Sequence, residues 1–295
     1  MRIFFISLLS DILELPRQVY ILVFGQFLNR FGSFVYPFLT LFLQDKAYGL
    51  GQIGGVLAAI SFGNFFGPSA GGYLADAIGR RNTIVLSLIT SAISLLSLYF
   101  CDNYALLLLM AGVFGFSNFI FGPPANALIT DLVPEEKRIT AYAMLRLAIN
   151  AGFAAGPMVA GILFVYSPFW VFARDALTTL MFAGLALCNL PHGLRTIKGK
   201  IASPKVIIKS WIDSAKDVAT NPRYKQFLIA CFLMGIAFMQ VFNLLAQTTK
   251  RFGISPSVYG IMMGLNGVLL ILIEVPLTHW KNDFPVRAFS RSDIV

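Results

Sequence analysis

Charge is what this sequence has least of: Asp, Glu, Lys and Arg supply 13% of its 295 residues, where a soluble domain carries about a quarter. So low a fraction excludes an ordinary water-soluble domain. It suits a chain whose outer surface faces hydrocarbon and needs no charge. Cysteine and histidine are scarcer still. Cys101, Cys188 and Cys231 stand singly in apolar runs with no CxxC pair, and His192 and His279 have no neighbouring ligand types. A disulfide framework and a zinc site are thereby excluded, and the cysteines read as small buried hydrophobes. No metal and no cofactor is expected. The sequence also lacks a His–carboxylate set, a Ser–His pair at credible spacing and a phosphate loop, so no enzyme is expected.

Acidic residues are outnumbered, 14 against 23 Lys and Arg, which gives a net charge of +9. Such a balance raises the question of a nucleic-acid partner. The basic residues, however, sit in short loops between apolar stretches and not on one polar face, and the aromatics are mostly Phe, 28 residues in all. Asymmetric loops around membrane spans explain both features better, so no nucleic-acid partner is expected.

What the sequence does have is long apolar runs. A hydrocarbon core about 30 Å thick needs roughly 20 such residues per helix. Eight runs qualify, at 19–43, 52–73, 83–101, 104–130, 141–164, 169–190, 226–247 and 258–279. The chain therefore reads as an all-α polytopic membrane protein. Residues 1–18 begin with a short apolar stretch that meets Asp11 and Glu14 without a small-residue cleavage site, and read as a cytoplasmic lead-in, not a signal peptide. Residues 19–190 form a first six-helix bundle, 191–225 a basic linker, 226–279 the first two helices of a second bundle and 280–295 a tail. Arg80, Arg81, Lys137, Arg138 and the linker all fall on one side of the alternating count. Positive residues stay in the cytoplasm. The expectation is a multi-pass protein of the cell (inner) membrane with a cytoplasmic N-terminus and linker.

Two runs carry small residues at every fourth position. In the second they are Gly51, Gly55, Ala59, Gly63, Gly67, Gly71 and Ala75; in the fifth, Ala148, Gly152, Gly156 and Ala160. Residues four apart share a helix face, and a face without side chains lets a neighbouring backbone approach closely.

Polar groups inside the runs should face protein or a wet cavity. The first run places Gln26, Asn29, Arg30, Ser33 and Pro37 on one broad face. Arg30, near the middle, reads either as a substrate or coupling contact or as half of an intramembrane ion pair. Gln240, Asn243 and Gln247 repeat the pattern in the seventh run, lining a passage or bonding helices together. Ser117, Asn118 and Asn126 lie in the fourth run, where Pro123 and Pro124 break the hydrogen-bond ladder. Arg146 and Asn150 are one turn apart in the fifth; Arg174 and Asp175 read as an outer-end pair in the sixth. Glu274 is the deep carboxylate of the eighth run, a proton carrier or a gating residue.

The loop after the second run reads Gly72-Tyr-Leu-Ala-Asp76-Ala-Ile-Gly79-Arg80-Arg81. It resembles the signature loop of the major facilitator superfamily, with Ala77 where a basic residue commonly follows the Asp. Asp131, followed by Leu-Val-Pro-Glu-Glu-Lys-Arg138, resembles the family's second charge cluster. The resemblance implies a cytoplasmic gate network of Asp76, Arg80, Arg81, Asp131 and Arg138. Gly152, Gly156, Pro157 and Gly161 are similar to the helix-five motif of proton-driven exporters, with Ala160 and Ala143 where glycines are usual. The fourth run has no Arg or Lys between Cys101 and Asp131, so the arginine many family antiporters carry there is absent.

The resemblance implies a secondary transporter of small molecules in the lipid bilayer, proton-coupled and exporting amphipathic or drug-like substrates. Family members usually have twelve helices, and no ninth follows Trp280. The expectation is a truncated or frameshifted frame, with a non-transporting remnant or membrane interaction protein as the alternative role.

Overall fold

The computed structural model describes residues 12–192, 216 and 220–281. Among these, every regular element is a helix: α1 Arg17–Gly32, α2 Val35–Asp45, α3 Leu50–Ile78, α4 Arg80–Phe100, α5 Tyr104–Ile120, α6 Gly122–Leu132, α7 Arg138–Tyr166, α8 Pro168–Asn189, α9 Pro222–Arg251 and α10 Pro256–Lys281. A single 3-10 turn, Glu135–Lys137, precedes α7. Most of the 191–225 linker, and the tail after Lys281, lie outside the described residues.

Among the described residues, five stretches are long and apolar enough to cross a membrane: Leu50–Ile78, Arg80–Phe100, Tyr104–Leu132, Glu135–Tyr166 and Pro168–Asn189. The first apolar run, expected as one helix, is divided into α1 and α2. Pro37 explains the division. It has no N–H to bond the Ser33 carbonyl, and its ring would clash with that carbonyl in a continuous helix. As the third residue of α2 it stands where helix amides have no intrahelical partner anyway. Pro123 and Pro124 act similarly in the fourth run, which changes from α5 to α6 at Phe121.

Helix contacts follow the small residues. In α3, a Cβ at Gly63 would stand 2.5 Å from the Phe116 amide nitrogen, one at Gly67 2.7 Å from the Phe116 carbonyl, and one at Gly71 3.0 Å from the Ile120 carbonyl carbon. Glycine at these positions lets α3 lie directly on the α5 backbone. Gly51 has open space around it, so packing along the stripe begins a turn later, where Gly55 meets the Tyr104 ring. The fifth-run glycines serve two neighbours. Gly152 abuts Phe27, Arg30 and Phe31 of α1, whereas Gly161 abuts Pro256 and Gly260 of α10.

Side chains fill two apolar cores. One gathers Phe38, Phe42, Ile53, Leu95, Leu107, Phe172 and Tyr259 at one end of the bundle. The other gathers Val19, Leu22, Ile84, Leu128, Phe182 and Ala186 at the opposite end. Between them, α1 and α8 bring together buried polar groups.

Candidate intramembrane polar site and gate

The polar groups of α1 divide between neighbours. Gln26 and Asn29 are buried, and the Asn29 Nδ2 donates to the Thr179 hydroxyl of α8 at 3.2 Å. Ser33 sits at the break, half-buried. Arg30, also half-buried, lies towards α7, where a Cβ at Gly152 would stand 2.8 Å from its own Cβ. The Arg30 Nε is buried and has no hydrogen-bond partner among the described residues.

The break itself is held from α8. Arg174 donates to the Gly32 carbonyl at 3.1 Å and to the Gly156 carbonyl of α7 at 3.1 Å, with its guanidinium carbon 5.2 Å from the centre of the Phe31 ring. The next residue, Asp175, accepts from the Val35 amide at 3.4 Å. A cation therefore covers the C-terminal carbonyl of α1 and an anion the N-terminal amide of α2. Both signs match the helix dipoles they face. A Cβ at Gly32 would stand 2.9 Å from the Thr178 Cβ, so glycine there lets α8 approach.

Sequence reasoning placed Arg174 and Asp175 at the outer end, where snorkelling or mutual pairing would suffice. In the structure Asp175 is 3% exposed and lies about 10 Å along the axis from Pro168. The available signal was the conjunction of Gly32, Ser33 and Pro37, which marks a helix interruption that needs partners from elsewhere.

The other expected pathway residues are placed as follows. Asn118 is half-buried on α5 and Gln247 half-buried on α9. Among the described residues, no hydrogen bond joins either to the α1–α8 cluster. The side chains of Gln240, Asn243 and Glu274 lie outside the described residues. No group of three or more His, Cys, Asp or Glu side chains gathers among those described.

At the bundle's other end, Gly79 takes φ 90° in the turn between α3 and α4, a conformation that favours glycine. The turn delivers Arg80 as the first residue of α4, where it pairs with Asp131 at the end of α6 and donates to the Ala127 carbonyl at 2.5 Å. Arg138 donates to the Thr130 and Val133 carbonyls at 3.1 and 3.3 Å. Two arginines thus cover the carbonyl end of α6, as its dipole favours. Arg81 meets the His192 ring at 2.9 Å, while Asp76 is exposed and Gly72 has open space beside it. Lys137, hydrogen-bonded to Glu14, holds that carboxyl below the ordinary glutamate range. The contact is therefore kept as the pH falls to that range and lost only below it.

The Arg80–Asp131 pair is accessible to a direct test. Arg80→Gln is expected to lower unfolding stability by about 2 kcal/mol, since it strands a carboxylate that is only 17% exposed. Adding Asp131→Asn should recover part of the loss. Strict additivity of the two changes in thermal unfolding would show that the two side chains act independently.

Comparison with known proteins fits this arrangement. The family model of the Major Facilitator Superfamily matches residues 22–288. The uncharacterized MFS-type transporter YttB of Bacillus subtilis (strain 168) is 27% identical over 263 residues, 88% of this chain and 64% of YttB. The quinolone resistance protein NorA of Staphylococcus aureus is 28% identical over 148 residues, 50% of this chain and 38% of NorA. The chain thus spans less than two thirds of the length of these relatives. The crystal structure of a D-xylose–proton symporter superposes with a TM-score of 0.64 at 15% identity, covering 90% of this chain and 69% of that one. That likeness concerns the fold. A signature loop, a glycine-packed helical bundle and a family match over nearly all its residues make this chain a multi-pass membrane protein of the Major Facilitator Superfamily.

Proposed function

We propose that the chain works in secondary active transport, moving amphipathic, drug-like small molecules out of the cell in exchange for protons. The observation that carries this reading is Arg30: a guanidinium inside the membrane, beside an interrupted helix, with one buried N–H left unbonded. Transporters of this kind build their sites at discontinuous helices near the midplane, where free backbone groups and polar side chains converge. The name of one relative, a quinolone resistance protein, supports a drug-like substrate.

In this reading residues 19–190 are the first bundle, 226–279 open the second, and 191–225 link them in the cytoplasm. The N-terminus is cytoplasmic and the membrane is the cell (inner) membrane. Gln26, Asn29, Arg30, Ser33, Asn118, Gln240, Asn243 and Gln247 line the pathway. Glu274 carries the proton. The Arg80–Asp131 pair, on the basic side, belongs to the cytoplasmic gate.

The test uses the full chain in sealed proteoliposomes with an acidic interior, offered anionic, neutral and quaternary cationic fluorophores. Exchange predicts that at least one class accumulates inside and that a protonophore abolishes the accumulation. Equal uptake by protein-free vesicles for every class would remove transport and leave a membrane interaction role.

A further inference from the structure

The six runs of the first bundle contain three arginines, Arg30, Arg146 and Arg174, and one carboxylate, Asp175. Cations therefore exceed anions where unpaired charge is most costly. Arg146 is itself engaged, and of the other three groups two are committed to structure. Arg174 donates to the Gly32 and Gly156 carbonyls, and Asp175 accepts from the Val35 amide. Asp175 directly follows Arg174 on α8, so the one carboxylate of these runs stands beside a cation other than Arg30. Arg30 forms no ion pair among the described residues, and its buried Nε lacks a partner.

Aromatic residues flank Arg30 along α1, one of them, Phe31, with the Arg174 guanidinium 5.2 Å from its ring centre. Phe27 and Phe31 lie three residues before it and one after, with ring centroids 5.9 Å apart and planes inclined by 17°. Both rings are half-buried. A guanidinium offers a planar fork matched to a carboxylate or sulfonate, and neighbouring rings favour a flat apolar body.

We propose that this site takes an organic anion, its carboxylate or sulfonate group on Arg30 and its aromatic body beside Phe27 and Phe31. The proposal rests on the transport reading of the same site and narrows its substrate class. An arriving anion supplies the charge the cluster lacks. A cation of the same shape adds to the excess and is disfavoured.

Three probes sharing one naphthalene body separate these cases: naphthalene-2-sulfonate, the neutral 2-naphthylmethanol and a 2-naphthyl trimethylammonium. Binding of each to the full chain in phosphatidylcholine nanodiscs is measured by calorimetry, with empty nanodiscs subtracted. The sulfonate is expected to bind at least about tenfold tighter than the alcohol, and the ammonium more weakly than either. Arg30→Gln should bring the sulfonate down to the alcohol, and Arg30→Lys should retain part of the difference.

Equal or tighter binding of the alcohol or the ammonium overturns the proposal, as does an unchanged sulfonate affinity in Arg30→Gln protein. Nanodiscs containing phosphatidylglycerol decide the source of the anion. If that lipid displaces the sulfonate, the arginine holds a lipid headgroup and the cargo assignment fails. Binding needs no flux, so the two readings can fail separately: anion binding without gradient-driven uptake removes transport alone, and uptake confined to cations removes this proposal alone.

Discussion

Asp175→Ala is expected to lower the free energy of unfolding in detergent by about 3–5 kcal/mol, the range found when one partner of a buried charge pair is removed. The carboxylate is 3% exposed, so little water reaches the gap it leaves. The Val35 amide at the start of α2 loses its acceptor, and the neighbouring Arg174, which keeps the Gly32 and Gly156 carbonyls, loses the nearby counter-charge. Asp175→Asn keeps an acceptor oxygen for the amide but not the charge, and its loss should be nearer about 1–2 kcal/mol. The measurement is the unfolding midpoint followed by fluorescence-detected size exclusion. A loss below about 1 kcal/mol for the alanine variant would mean that the interrupted crossing closes without the carboxylate.

The second large effect belongs to the contact between α3 and α5. Gly63→Leu should destabilise by about 3 kcal/mol or more, at or beyond the upper end for overpacked sites. Even a Cβ there would meet the Gly112 carbonyl and stand 2.5 Å from the Phe116 nitrogen. Both are main-chain atoms inside a helix and cannot turn aside as a side chain could. The matched control is Gly51→Leu, in the same stripe but with nothing within 4 Å, which should change stability by less than about 0.5 kcal/mol. Similar losses for both would show that helix propensity or lipid contact governs the stripe, not the approach of α5.

These two sites mark what could be read in the sequence. The fourfold spacing from Gly51 to Ala75 was visible because a helix face is set by local periodicity alone. Which helix covers it was not, since Gly112, Phe116 and Ile120 are far along the chain and nothing local points to them. The turn around Gly79, with Arg80 close to Asp131, was legible through the resemblance of the loop. Its finer arrangement was not: Arg138 reaches the Thr130 and Val133 carbonyls, a backbone geometry no residue type announces.

The Arg174–Asp175 pair shows the harder limit. Its depth was judged from the start of its own apolar run, but its role depends on a break in α1 some 140 residues earlier. Ser33 and Pro37 could have marked an interruption, but the run reads as a single helix, and neither residue says who would satisfy a break. Arg30, by contrast, stood out because a guanidinium in an apolar run is rare enough to be noticed alone.

One consequence of the packing concerns motion. Most helix pairs lock because ridges of side chains settle into grooves, and each seating selects a crossing angle. Where α7 meets α10, Gly161 and Gly260 face each other, with a Cβ on the first standing 3.2 Å from the Cα of the second. Gly264 and Gly267 continue the track against Ala154. The Met158 side chain stands against Gly264 as a flexible ridge in that track, so a pivot of α10 on α7 turns on how readily Met158 gives way.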